Sequence, residues 1–345
     1  MKLSPAFALP ACLAALALQA APSVAAPAAG GYRLVKTIPL GAPDRWDYVV
    51  ADAATHRVYV AHGDRLSVVD VAAGKVVGAV QPVAGGTHGT AISAATGEGF
   101  TDDGEAGVAV VFDLKTLKIK QTIPAAPDAD GIATDRASGH IFVVDGDPAK
   151  VSVIDPRSHK LVATIDGGGK LEAGVADDQG RLYVNGEEKR DIVVVDTRTN
   201  TVVAHWPMPM CDSAHGIAID PAGHRLFASC ANSLMVVLNT RTGAVVTTVP
   251  IGRGSDGAAW DPVHRRAFSS NGFNGDISVI QQKTPDTYAV LPSIPTVRSA
   301  RTMAVDPATG RLFVAGGEVD PNSPPGGRPR MVPGSLKLMV FDPVR

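Results

Sequence analysis

A single internal period runs through this chain and limits what it can fold into. An aromatic residue recurs at Tyr59, Phe100, Phe142, Tyr183, Phe227, Phe268 and Phe313, in steps of 41, 42, 41, 44, 41 and 45 residues. The surrounding runs are HRVYVA, GEGFTD, GHIFVV, GRLYVN, HRLFAS, RRAFSS and GRLFVA. A second apolar run follows each aromatic, such as LSVVD, VSVID or IVVVD. These runs end at Asp70, Asp113, Asp155, Asp196, Asn239, Gln281 and Asp342. A third run comes next, as in KVVGAV, KIKQTI, KLVATI, TVVAHW and AVVTTV, and a run such as GIATD, GIAID or GAAWD precedes the aromatic.

Four short runs rich in Val, Ile and aromatics, divided by Gly, Asp, Asn and Pro, predict a four-stranded antiparallel sheet with tight turns. One such sheet cannot cover both of its faces. Repeats packed side by side cover them, and a closed ring leaves only short, protected edges. A four-stranded unit of this length is a propeller blade. The period therefore predicts an all-β chain, a seven-bladed β-propeller over residues 32–345. Ring closure is legible as well. The last repeat starts at Ala300 and holds only three runs, while an unattached run, YRLVKTIPLG, begins at Tyr32. The N-terminal strand is expected to complete the last blade and tie the ring shut.

Residues 1–25 read as a secretory signal peptide. Lys2 opens the segment, the apolar run from Ala6 to Leu18 is too short to span a bilayer, and Ser-Val-Ala ends at Ala25 as a cleavage site would. The expected location is the periplasm or the exterior. Removing this segment leaves two cysteines, Cys211 and Cys230, and in an oxidising compartment two cysteines are expected to pair. A formal net charge of −2 argues against a dedicated nucleic-acid binder, whose affinity rests on phosphate neutralisation. No later segment is apolar enough to cross a membrane as a helix, and a monomer is expected.

Units such as GIAIDPAGHRLFAS followed by LMVVLNTRTGAVVTTVPIG resemble the YVTN-repeat (YncE-like) bacterial β-propellers, and the resemblance covers nearly all of the mature chain. It implies the propeller fold and a periplasmic setting. Members of this broad group include binding proteins, a streptogramin lyase and lactonases, and no catalytic motif of theirs carries over residue by residue. Single-stranded nucleic-acid binding, associated with the YncE type, needs a basic groove and stacking aromatics. Here only Trp46, Trp206 and Phe273 are placed to stack.

One column of the repeat carries charge. Five residues before the end of the first run stand Asp47, His88, Asp130, Glu172, His215, Asp256 and Arg301. The first strand of a blade lines the central channel, so these seven side chains are expected to ring its mouth. Propeller geometry needs no charge there, and like charges held close cost energy unless water, a cation or Arg301 offsets them. A second set, His62, Asp103, Asp145, Asn185, Cys230 and Asn271, follows each aromatic strand at the same end. A Cys211–Cys230 bridge would staple the rim beside His215. The insertion at 316–335, rich in Pro and Gly, is long enough to be a lid or a binding element.

These residues predict binding of a small ligand or a cation at the channel mouth. Asp47, His88, Asp130, Glu172, His215, Asp256 and Arg301 are the candidate ligands, with His62, Asp103, Asp145 and Asn271 behind them. A divalent metal is the sharpest version, on His88, His215, Asp130 and Glu172. The alternative is a metal-assisted hydrolase or lyase with His215 or His88 as catalytic base. A third reading is a protein-interaction scaffold. The chain has no HExxH, GxSxG or CxxCH motif.

Overall fold

The structure is a computed structural model that describes Met1, residues 31–323 and residues 329–344. All but the first residue of the expected signal peptide lie outside the described residues. Seven four-stranded antiparallel sheets make up the fold, and no α-helix occurs among the described residues. Six sheets are built from consecutive strands. The fifth blade, for example, runs Ala214–Asp220, Arg225–Cys230, Leu234–Asn239 and Val245–Pro250. The seventh combines Thr302–Val305, Leu312–Gly316 and Lys337–Pro343 with the N-terminal strand Tyr32–Pro39.

That N-terminal strand pairs antiparallel with the last one, from Tyr32 opposite Pro343 to Pro39 opposite Lys337. Tyr32 also reaches the sixth blade. Its hydroxyl donates to Asp261 at 3.1 Å, and its ring meets Phe268 edge-on at 5.5 Å. The innermost strands neighbour one another in blade order, and the ring closes where Val49–Asp52 meets Thr302–Val305. The predicted closure is therefore present on the outer and the inner edge alike.

The periodic aromatics explain why the sheets pack. Each sits on the second strand of its blade, and none is more than 3% exposed. They fill the gaps between adjacent sheets. Phe227 stacks on Trp260 of the next blade at 5.1 Å, and Tyr59 meets Phe112 at 6.1 Å. Truncating one such ring to alanine is expected to cost about 3–5 kcal/mol. Towards the axis the packing is backbone on backbone. A Cβ at Gly216 would stand 2.5 Å from Ala258 N, and one at Gly89 would stand 2.5 Å from Asp130 O. These two glycines let neighbouring strands approach at the waist of the channel.

Among the described residues no helix is long and apolar enough to cross a membrane. Cys211 and Cys230 form a disulfide, and both are fully buried. The bridge ties the segment leading into the fifth blade to the end of that blade's second strand.

Candidate functional site

The charged column lands on a recurring irregularity of the inner strands. In four blades the pairing of the first and second strands slips by one residue, between Ala129 and Ile132, Leu171 and Gly174, Ala214 and Ile217, and Ser255 and Gly257. Asp130, Glu172, His215 and Asp256 lie inside these bulges. In the first blade Asp47 and Tyr48 both bond Ala61, which is the same two-against-one arrangement. A bulge frees one residue from the ladder and re-aims its side chain. That is how a strand whose neighbours pack against the next blade can turn a carboxylate into the channel mouth.

Bonds from the adjacent blade fix the bulges. Asn185 Nδ2 donates to His215 O at 2.8 Å, and Thr302 Oγ1 donates to Asp47 O at 2.7 Å. The ring backbone is thereby held from outside, and the side chains are left to the mouth.

Within the ring, Glu172, His215 and Asp256 converge. One ligand atom from each lies within 4.8 Å of the others. His215 Nδ1 stands 3.6 Å from Glu172 Oε1 and 3.5 Å from Asp256 Oδ1. These separations are long for direct hydrogen bonds, which lie nearer 3 Å. The other nitrogen of His215 is occupied. Ser213 Oγ donates to Glu187 Oε1 at 2.5 Å and lies 3.2 Å from His215 Nε2. Nε2 is therefore the donor to Ser213, and in the neutral ring Nδ1 keeps its lone pair towards the two carboxylates. This is the outer support that metal-binding histidines use. Nearby carboxylates, Glu172 foremost and then Asp256, outweigh burial and raise the His215 pKa.

Arg301 sits beside this trio. Its Nε lies 3.1 Å from Asp256 Oδ2, its Nη2 donates to Trp46 O at 2.8 Å, and the same nitrogen is 3.5 Å from Asp47. Burial raises Asp47 to about 7, against the pull of Arg301 and with the help of Asp256. Asp130 is pushed well above the carboxylate range by burial, and then by Asp47 and Glu172. Burial thus works against ionisation of both acids.

Two further residues complete the mouth. Tyr48 follows the ring position of the first blade, where the second to sixth blades have Gly89, Gly131, Ala173, Gly216 and Gly257. It crosses the channel and packs against the cluster containing Ala173 and Ile217. Burial, and then the charges of Asp130 and Glu172, keep its phenol protonated. Beside it lies a cavity of about 290 Å³, lined by Tyr48 with Ile132, Val175, Ile217 and Met303 among others. Tyr48 thus touches both the ring of charges and that cavity. Asp102 is the other residue. It is fully buried in the second blade and takes the Nδ1 of His88 at 2.6 Å.

The structure brings Glu172, His215, Asp256, Arg301 and Asp47 into contact through these distances. His88 and Asp130 belong to the same ring but not to the close group of three. The second set lies at the same end of the blades, with His62, Asp145 and Asn271 buried. His62 is bound by Ser67 Oγ at 2.8 Å and Pro43 O at 2.6 Å. Asp145 is fully buried and accepts from Ser152, while Asn271 donates to Asp276 and Ser278. Asp103 accepts from Gly85 N and Ala106 N, as a turn residue does. The described C-terminal end of the long insertion meets the segment carrying Trp46. Asp44 accepts from Gly334 N and Leu336 N, and Val319 bridges Met331.

No family model matches this chain, and no curated protein matches it. Solved structures do. A chain of the crystal structure of the mitotic checkpoint complex aligns with a TM-score of 0.73 at 15% identity, over 97% of this chain and 100% of that one. The hydrazine synthase of Kuenenia stuttgartiensis aligns with a TM-score of 0.69 at 14% identity, over 79% of this chain and 93% of that one. At such identities the likeness is one of fold, and the chemistry has to be argued from the mouth itself.

Proposed function

We propose that this protein is an exported propeller of the YVTN-repeat kind that binds a divalent cation at the mouth of its channel. The observation that carries the reading is the convergence of Glu172, His215 and Asp256 within 4.8 Å. Two carboxylates and an imidazole suit a first-row metal such as zinc or manganese. Glu172, His215 and Asp256 would hold the ion, with Ser213 and Glu187 orienting the histidine from behind. The long spacings among the three atoms and the burial that works against ionisation of Asp47 and Asp130 both fit a site that gains from positive charge. A bound cation would take the place of the proton on His215 and lower the pKa of the acids around it. Arg301, already beside Asp256, would limit how much charge the site accepts. The signal-like segment and the buried Cys211–Cys230 bridge support the exported setting.

Metal analysis of the purified mature protein, followed by calorimetric titration with zinc and manganese, tests the reading. Near-stoichiometric binding in the parent, lost in both Glu172→Gln and His215→Ala with unchanged melting, is the expected result. Binding that is absent in the parent, or that survives both substitutions, rejects it.

A further inference from the structure

His88 is built differently from His215. Asp102 Oδ1 accepts from the backbone N–H groups of His88 and Gly89 at 2.9 and 2.8 Å, which locks that carboxylate in place. Its other oxygen, Oδ2, takes His88 Nδ1 at 2.6 Å. Asp102 has no exposure at all, whereas the His88 side chain is 22% exposed. Gly104 leaves room for the imidazole, since a Cβ there would stand 2.6 Å from His88 Cε1. His88 Nε2 makes no hydrogen bond to the described residues and is not among their buried unpartnered atoms. The ring is therefore fixed by one edge and presents Nε2 with its other, which is a donor once the imidazole is protonated.

A carboxylate clamped on Nδ1 sets the tautomer and stabilises the imidazolium. The charged groups facing His88 are Asp102 on its own blade, Asp47 on the first and Asp130 on the third. Burial opposes the charged ring, but the bond to Asp102 and these three carboxylates outweigh it and raise His88 to about 9. Burial also raises Asp47 and Asp130, so both acids are expected to take up protons when an anion binds beside His88.

We infer that His88, oriented by buried Asp102, is a hydrogen-bond donor to an oxyanion of the ligand, so that the mouth takes a carboxylate or phosphate together with the cation. The inference rests on the cation reading for the trio and adds a second subsite to it. No bond is made or broken at this subsite. The imidazolium donates its Nε2 proton in a hydrogen bond, Asp102 holds the ring, and Arg301 adds charge from the other side of Asp47.

The test is calorimetric titration of the whole mature protein with manganese alone, with malonate alone, and with manganese in the presence of malonate. Inorganic phosphate in place of malonate separates a carboxylate from a phosphate site. Malonate or phosphate is expected to tighten manganese binding by about tenfold, the size of an ordinary coupling between adjacent sites. His88→Gln is expected to abolish that gain and leave binding of manganese alone intact. Asp102→Asn should lose the gain at pH 8 and recover it near pH 5.5, where the imidazole is protonated without its partner. A thermal melt of each variant checks the fold, and His88→Gln carries the test if Asp102→Asn does not fold. No anion effect in the parent overturns the inference, as does loss of manganese binding itself in His88→Gln, which would make His88 a metal ligand. Anion binding that depends on His88, with no manganese binding, would reject the cation reading and keep the oxyanion subsite.

Discussion

The phenol of Tyr48, on the first blade, crosses the channel to Glu172 of the fourth, its hydroxyl donating to Oε1 at 3.4 Å. This contact joins the charged mouth to the cavity that Tyr48 helps to line. The two halves of the side chain do different work. The ring packs against Ala173 and Ile217, and the hydroxyl meets an acid of the candidate cation site.

Tyr48→Phe keeps the packing and removes only a long hydrogen bond. It is expected to cost less than about 1 kcal/mol, and Tyr48→Ala about 3 kcal/mol, because the second also loses the packing against Ala173 and Ile217. Urea unfolding of the two variants measures the difference. Equal losses would mean that the ring contributes nothing by packing.

Stability is expected to fall as pH rises from about 5 to 9. Asp47 and Asp145, each raised to about 7 chiefly by burial, bind protons in the folded state that the unfolded chain has released. His88, raised to about 9, has its stabilising effect in full below the pKa of a free imidazole and loses it as pH climbs through 9. All three have the same sign across this window. Melting temperatures recorded along it should decline, and Asp47→Asn should flatten the part near pH 7. A rising curve would contradict the assignment.

Opening the disulfide is expected to destabilise the protein by about 3 kcal/mol, the figure for loops of about this length. The bridge spans a sequence separation of 19, and Cys230 pairs with Ala214, three residues after Cys211, where the bulge that carries His215 begins. Denaturant midpoints of the Cys211→Ala/Cys230→Ala variant, compared with the parent under oxidising conditions, measure it. The same variant should bind the cation more weakly than the parent, since His215 loses its nearest covalent anchor.

Deleting residues 31–39 is expected to abolish the cooperative melt. Tyr32 and Ile38, both nearly inaccessible, pack into two different core clusters, and the strand supplies the outer partner of Lys337–Pro343. Circular dichroism on heating decides it, and a sharp transition near the parent's would show that closure is dispensable.

The strands and their order were legible because burial between blades demands a large apolar side chain at one place per unit. Nothing else in the chain explains seven aromatics at that spacing. The mouth was legible in part for a related reason, since the bulge stands at a constant offset from the end of the first strand. Asp102 was not legible because the recurring polar column at this end of the blades runs through its neighbour, Asp103. Successive residues of a strand face opposite ways, so Asp103 caps a turn while Asp102 supports His88. In the other blades the place of Asp102 holds Ala61, Val144, Asn185, Ser229, Ser270 and Ala315, and an acid in that column was the signal. Tyr48 could have been found likewise, as a bulky residue in a column of mostly small ones. How far a side chain reaches across a channel is set by the diameter of the ring, which no local pattern states.

The bulges have a consequence for how such a mouth can change. Asp130, Glu172, His215 and Asp256 occupy places where the ladder has already slipped, so the pairing on either side does not depend on what they carry. Each of these four blades offers the rim one editable position whose chemistry is uncoupled from the register of its sheet. A lineage could rewrite the charge pattern blade by blade, converting an acid-rich rim into a basic or neutral one, while the scaffold beneath went on folding as before.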